Sequence, residues 1–164
     1  MKEYKIGMVG AGFMAKAHSL AYATMPMFFS PAPGIPVRYK IADLTEATAK
    51  EAAARLGFKG HAARWQDLVD DPEIDIIDIV TPNNSHAEIA VAAAKAGKHI
   101  FCEKPIARNV EEAQAMLDAV KKANVRNMLA FNYRRTPAVA LAHKYIQDGA
   151  IGKIRTFRGT YLQD

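Results

Sequence analysis

Apolar and polar positions along this chain fall into blocks that predict strands and helices in alternation. Tyr4–Val9 is a short, β-rich apolar run ending in glycines, which predicts a first strand, and Phe13–Thr24 follows as a helix. Pro26, Pro31, Pro33, Gly34 and Pro36 break the next stretch into a loop. Val37–Ala42 reads as a second strand, Thr45–Leu56 as an alanine-rich helix closed by Gly57, and Arg64–Asp70 as a short helix. Ile74–Val80 is almost wholly β-branched and apolar, the pattern of a strand buried on both faces. Ser85-His86-Ala87-Glu88 has capping-box spacing and opens a helix that runs to Ala96. A strand at His99–Cys102, a helix capped by Asn109 and a strand at Asn127–Phe131 come next. A helix at Pro137–Gln147 and a last strand at Ile154–Tyr161 end the chain. Such alternation predicts an α/β fold with a doubly wound parallel sheet. A terminal strand with an open edge invites pairing with another chain or a further segment.

Composition agrees with a globular chain: 50% of the 164 residues are apolar and 24% charged. No apolar run reaches the roughly 18 residues of a membrane span, and Met1-Lys2-Glu3-Tyr4-Lys5 leads straight into a strand without a signal peptide. The expectation is a cytoplasmic protein that does not bind membranes. The single cysteine, Cys102, excludes a disulfide framework and a cysteine-rich metal site, and reads as a small buried hydrophobe. The net charge of +5 is uneven: residues 121–164 hold nine Lys/Arg against two acids, a net +7 that leaves −2 on residues 1–120. The basic residues are scattered and lack any helix-turn-helix or zinc-finger spacing, so a nucleic-acid partner is not expected.

The most specific local signal is Gly10-Ala11-Gly12-Phe13-Met14-Ala15, immediately after the first strand. It matches the G-x-G-x-x-G/A fingerprint for dinucleotides. Gly10 permits the tight turn, Gly12 lets the backbone approach a pyrophosphate, and Ala15 lets the helix pack closely on the sheet. The helix N-terminus offers free N–H groups and partial positive charge to the phosphates. Asp43 follows the second strand, where an acid accepts hydrogen bonds from the adenosine ribose and repels a 2′-phosphate, favouring NAD over NADP. It stands 31 residues after Gly12, against the usual spacing of about 20, and the proline-rich loop accounts for the excess. Asp43 is also placed to cap the helix near Thr45.

Further along come Thr81-Pro82-Asn83-Asn84-Ser85-His86 and then Glu103-Lys104-Pro105. With the glycine turn, in this order, these motifs resemble the Gfo/Idh/MocA oxidoreductases, which join an N-terminal Rossmann domain to a C-terminal α/β domain with an open sheet. The resemblance covers essentially the whole chain but only the first half of a typical member. It implies a Rossmann domain over residues 1–131 and the first helix and strand of a truncated substrate domain over 132–164. Phe13 and Met14 of the glycine turn, with Thr81, Pro82, Asn83 and His86, would line the cofactor, and Glu103 would contact the nicotinamide ribose. Lys104 would stand beside nicotinamide and substrate as a catalytic residue. Asn132 and Arg134, in Phe131-Asn132-Tyr133-Arg134-Arg135, would approach both. Directly after a buried strand, Lys104 is expected to be partly desolvated, which lowers a lysine's pKa and suits it to polarise a hydroxyl. The resemblance also makes Pro105 a candidate for a cis peptide bond.

The implied activity is hydride transfer between NAD and a hydroxyl of a sugar, cyclitol or related polyol, in a homo-oligomer formed through the C-terminal sheet. The family's proton-transfer histidine belongs to an Asp-x-x-x-His segment, and none of the five histidines here lies in one. The chain therefore reads as the cofactor-binding part of a longer enzyme. The alternative is a stand-alone, non-catalytic module that binds NAD(H) or docks to a partner.

Overall fold

A computed structural model describes residues 1–162. The chain forms two compact units, one over Met1–Ala130 and one from Phe131 onward.

The first unit is a parallel six-stranded sheet. Its strands are β1 (Glu3–Val9), β2 (Ile35–Ala42), β3 (Gly60–Ala62), β4 (Ile76–Ile79), β5 (His99–Cys102) and β6 (Asn127–Leu129), in the order β3-β2-β1-β4-β5-β6. The helices are α1 (Phe13–Phe28), α2 (Glu46–Leu56), α3 (Trp65–Val69), α4 (His86–Lys95) and α5 (Val110–Ala123). Alternation along the strands divides the core in two. Met8 and Ile41 pack with Ala15 of α1 and Ala52, Ala53 and Leu56 of α2. Their neighbours Val9 and Ala42 pack instead with Leu68, Ile77, Ile79, Ile89, Ala93 and Met116, beneath α3, α4 and α5. This is the doubly wound arrangement the sequence predicts, with the order of strands reversing between β1 and β4.

Local chemistry sets the element ends. Thr45 caps α2, accepting from the Thr48 amide at 3.1 Å, and Gly57 closes the helix in the left-handed conformation. Asn109 caps α5, accepting from the Glu112 amide at 2.8 Å. Lys98, buried between α4 and β5, donates from Nζ to the carbonyls of Asp71 (2.6 Å) and Ile74 (2.8 Å), closing the loop before β4.

Three expectations are corrected, and one strand stands where none was expected. The helix α1 continues past Thr24 to Phe28 with Pro26 inside its last turn, where only one amide donor is forfeited. The strand β3 has only three residues and no apolar run, so the sequence pattern gave no sign of it. Ser85 does not cap α4: a 3₁₀ turn over Asn83–Ser85 leads into the helix, and the Ser85 hydroxyl donates to Thr81 Oγ1 (2.7 Å) and the Pro82 carbonyl (2.9 Å). The terminal strand over Ile154–Tyr161 does not form, and that segment has no regular structure, as befits a stretch without a ladder to satisfy its backbone groups.

The second unit, taken by itself, holds a 3₁₀ turn over Asn132–Arg135 and the helix α6 (Pro137–Gln147), with proline in the first helical turn. Among the described residues no helix is long and apolar enough to cross a membrane.

Candidate functional site

Parallel strands in register bring their carboxyl ends to one level. Val9 pairs with Ala42 on one side and Ile79 on the other, and Ile79 pairs with Cys102. One residue further on, the ladder continues into the connecting turns. Gly10 N–H donates to the Ala42 carbonyl (2.8 Å), Val80 N–H to Val9 (3.0 Å) and Glu103 N–H to Ile79 (2.9 Å). Asp43, Gly10, Val80 and Glu103 therefore stand side by side along the sheet edge, although they come from four distant parts of the sequence. This edge, at the point where strand order reverses, is where open α/β sheets form their ligand crevice.

The glycine turn matches what a dinucleotide needs. Gly10 has φ +104°, and a Cβ there would lie 3.1 Å from the Val80 carbonyl carbon and oxygen. Gly12 differs: a Cβ on it would meet nothing within 4 Å, so its missing side chain leaves open space at the tip of α1. Gly12 is the N-cap of α1, no side chain caps the helix, and no acid lies in its first turn. The amides at this end are left for an anionic ligand. Ala15 is fully buried against the sheet, Met14 packs at the edge of that core, and Phe13 is exposed. Asp43 does not cap α2, since Thr45 fills that place, and no side chain among the described residues engages its carboxylate. It is thus free to accept from ribose hydroxyls. These features fit an adenine dinucleotide.

Beyond β4, Thr81 and Asn83 are half-buried and Pro82 is exposed. His86 is buried, and its ring joins two loops. Nε2 lies 2.9 Å from the Thr81 carbonyl and Nδ1 lies 2.9 Å from the Pro105 carbonyl. Both ring nitrogens thus face a carbonyl oxygen, one from each loop. His86 therefore holds the wall of the crevice from behind.

After β5, the Lys104–Pro105 peptide is cis. Lys104 is exposed, so the partial burial expected around it is not present in this unit: the strand before it is covered, but the turn that carries it projects beyond the sheet. Glu103 is only 5% exposed. Both its oxygens face protein groups, Oε1 lying 3.1 Å from His18 Nε2 and Oε2 accepting from the Lys104 amide at 2.9 Å. The other ring nitrogen of His18 lies 2.9 Å from Asp78 Oδ2, to which the Tyr22 hydroxyl also donates at 2.8 Å. Asp78 is fully buried in the middle of β4.

Burial works against the charged form of His18, but hydrogen bonds and charge from Asp78 and Glu103 outweigh it and raise the pKa above the ordinary histidine value. Complete burial raises Asp78 above the usual carboxylate range, against the pull of His18 and Tyr22. Burial, aided by the two carboxylates, pushes the Cys102 thiol up to about 12, so this cysteine is the inert hydrophobe expected of it. The sequence reading missed the network of His18, Tyr22 and Asp78. The one available signal was Asp78 itself, a single acid inside the apolar run Ile76-Ile77-Asp78-Ile79-Val80. Asn132 and Arg134 lie in the second unit, in its exposed 3₁₀ turn.

A parallel sheet of this strand order, with a glycine-rich turn after β1 and an unengaged acid after β2, defines an NAD-binding Rossmann domain. The chain belongs to the Gfo/Idh/MocA family, an oxidoreductase family with an NAD-binding Rossmann fold, whose sequence model matches residues 4–131. It is 62% identical over 164 residues to levoglucosan dehydrogenase of Pseudarthrobacter phenanthrenivorans, covering 100% of this chain and 42% of that protein. It is 30% identical over 156 residues to myo-inositol 2-dehydrogenase of Thermotoga maritima, covering 95% of this chain and 44% of that protein. A solved structure of levoglucosan dehydrogenase in complex with NADH and levoglucosan superposes with a TM-score of 0.91 at 60% identity, over 93% of this chain and 41% of that one. The chain thus spans less than half the length of these relatives.

Proposed function

We propose that this chain is the cofactor-binding part of an NAD-dependent dehydrogenase acting on a secondary hydroxyl of a sugar or cyclitol, with an anhydrosugar such as levoglucosan as the favoured substrate. The observation that carries the reading is the level row at the sheet edge. It sets an open glycine turn and an unengaged Asp43 beside the turn that carries Lys104. The 62% identity to a levoglucosan dehydrogenase supports the anhydrosugar. A stand-alone, non-catalytic module finds no support among relatives named as dehydrogenases.

In this reading the amides at the α1 tip and the backbone at Gly12 hold the pyrophosphate. Asp43 accepts from the adenosine ribose and turns away a 2′-phosphate. Bound NAD supplies the chemistry of hydride transfer. The exposed Lys104 ammonium donates to the substrate hydroxyl and fixes its orientation, while His86 keeps the Thr81 and Pro105 turns at their spacing.

Calorimetric titration with NADH and NADPH tests the cofactor arm. NADH is expected to bind at least about tenfold more tightly than NADPH, with the difference lost in Asp43→Ala. Equal affinity for both cofactors in the unaltered chain would overturn the assignment of Asp43. The substrate arm compares NAD reduction by the product of the complete gene with levoglucosan and with myo-inositol. Turnover of myo-inositol alone would replace the anhydrosugar by a cyclitol.

A further inference from the structure

We propose that His18 is a positioning residue for Lys104, acting through Glu103: the imidazole clamps the Glu103 carboxylate, and that carboxylate holds the backbone amide of Lys104. The inference rests on the reading of Lys104 given above.

The geometry forms an unbroken chain from α1 to the turn after β5. Asp78 Oδ2 and Oδ1 lie 2.9 and 3.1 Å from His18 Nδ1, Glu103 Oε1 lies 3.1 Å from His18 Nε2, and Glu103 Oε2 lies 2.9 Å from the Lys104 nitrogen. Phe101 stacks on the His18 ring with centroids 5.0 Å apart and planes 23° from parallel, so the ring cannot swing away without losing that contact. Carboxylates only accept, so the ring serves both neighbours when both nitrogens carry protons. A buried glutamate between a histidine and a backbone amide has no water to replace either partner, and loss of one leaves the carboxylate free to reorient. The amide it holds is that of the residue proposed to meet the substrate. His18 itself, 8% exposed and saturated by carboxylates, stays behind the crevice.

The groups facing the ring are Asp78 from β4, Glu103 and Phe101 from β5 and its end, and Tyr22 one turn along α1. The Cys102 thiol donates to the Glu103 carbonyl at 3.4 Å. Among these groups both His18 and Asp78 are shifted upward, and loss of the His18 proton removes one donor from the pair of carboxylates.

The experiment follows the Lys104 amide and the His18 ring by nuclear magnetic resonance in the full chain across pH, with and without NADH. Parallel measurements on His18→Gln use a side chain that donates to one carboxylate but does not titrate. The Lys104 amide resonance is expected to move with the same midpoint as the His18 ring, and that movement to vanish in His18→Gln. A Lys104 amide that ignores the His18 titration would overturn the proposal, and this needs only the unaltered chain. A folded His18→Gln chain with an unshifted Lys104 amide would overturn it equally. If the unaltered chain fails to bind NADH, the cofactor reading falls, while the correlation between ring and amide still decides the role of His18.

Discussion

A Cβ on Gly10 would lie 3.1 Å from the carbonyl of Val80, whereas one on Gly12, two residues away, would meet nothing. The two glycines of one turn thus serve different ends: Gly10 lets β1 and β4 approach, and Gly12 keeps the crevice clear.

Substitution separates these roles. Gly10→Ala places a side chain at φ +104° against backbone that cannot give way, and should cost about 1–3 kcal/mol of stability. Gly12→Ala has an ordinary φ of −75° and room around it, so stability should change by less than about 1 kcal/mol while NADH affinity falls. Urea denaturation and NADH titration on both variants check the pair. A Gly10→Ala chain as stable as the unaltered one would refute the steric argument.

His86→Phe keeps an aromatic ring but removes both nitrogens, leaving the Thr81 and Pro105 carbonyls without their partner. The expected loss is about 1–3 kcal/mol, since both hydrogen bonds are only partly buried. NADH binding should weaken as well, because both turns border the crevice. A destabilisation below about 1 kcal/mol would show that water takes over these carbonyls.

The raised pKa of His18 makes stability depend on pH. A base whose folded pKa lies above its unfolded value stabilises fully below the unfolded pKa, and that contribution is lost as pH rises through the folded one. The denaturation midpoint should therefore fall as pH rises through and above the ordinary histidine range, and His18→Gln should flatten the slope. A midpoint that stays level in the unaltered chain would mean the ring is not held as a proton donor to both carboxylates.

Cys102 should be silent to thiol reagents in the folded chain, because it is 1% exposed and its thiolate is disfavoured up to about 12. Colorimetric thiol titration should find no reactive group until denaturant is added. Rapid reaction in native buffer would place this end of β5 in a much more open environment.

Much of this architecture could be read from the chain itself, because single-residue chemistry carries it. The buried β4 announces itself through Ile76, Ile77, Ile79 and Val80, the α5 start through Asn109, and the cofactor turn through Gly10 and Gly12. Asp43 was legible because it directly follows a strand, and the structure resolves its competing role in favour of Thr45. What escaped depends on partners far away in sequence. Ser85 has the right spacing for a cap, yet its hydroxyl is taken by Thr81 and Pro82. Ile154–Tyr161 has strand-like residues but no ladder to join. Glu103 reads as a contact of the nicotinamide ribose, and nothing local reveals that His18, six residues after Gly12 in α1, also faces its carboxylate. Side-chain pairing of this kind is invisible until the sheet and α1 are laid together.

The level row of strand tips also bears on how the site comes into being. Asp43, Gly10, Val80 and Glu103 become neighbours only when β2, β1, β4 and β5 have all entered the ladder, and each pairing must first close a long stretch of chain. No single hairpin or helix carries even half of the crevice. Cofactor affinity is therefore a property of the assembled sheet, and a ligand bound there ties together segments from Gly10 to Glu103.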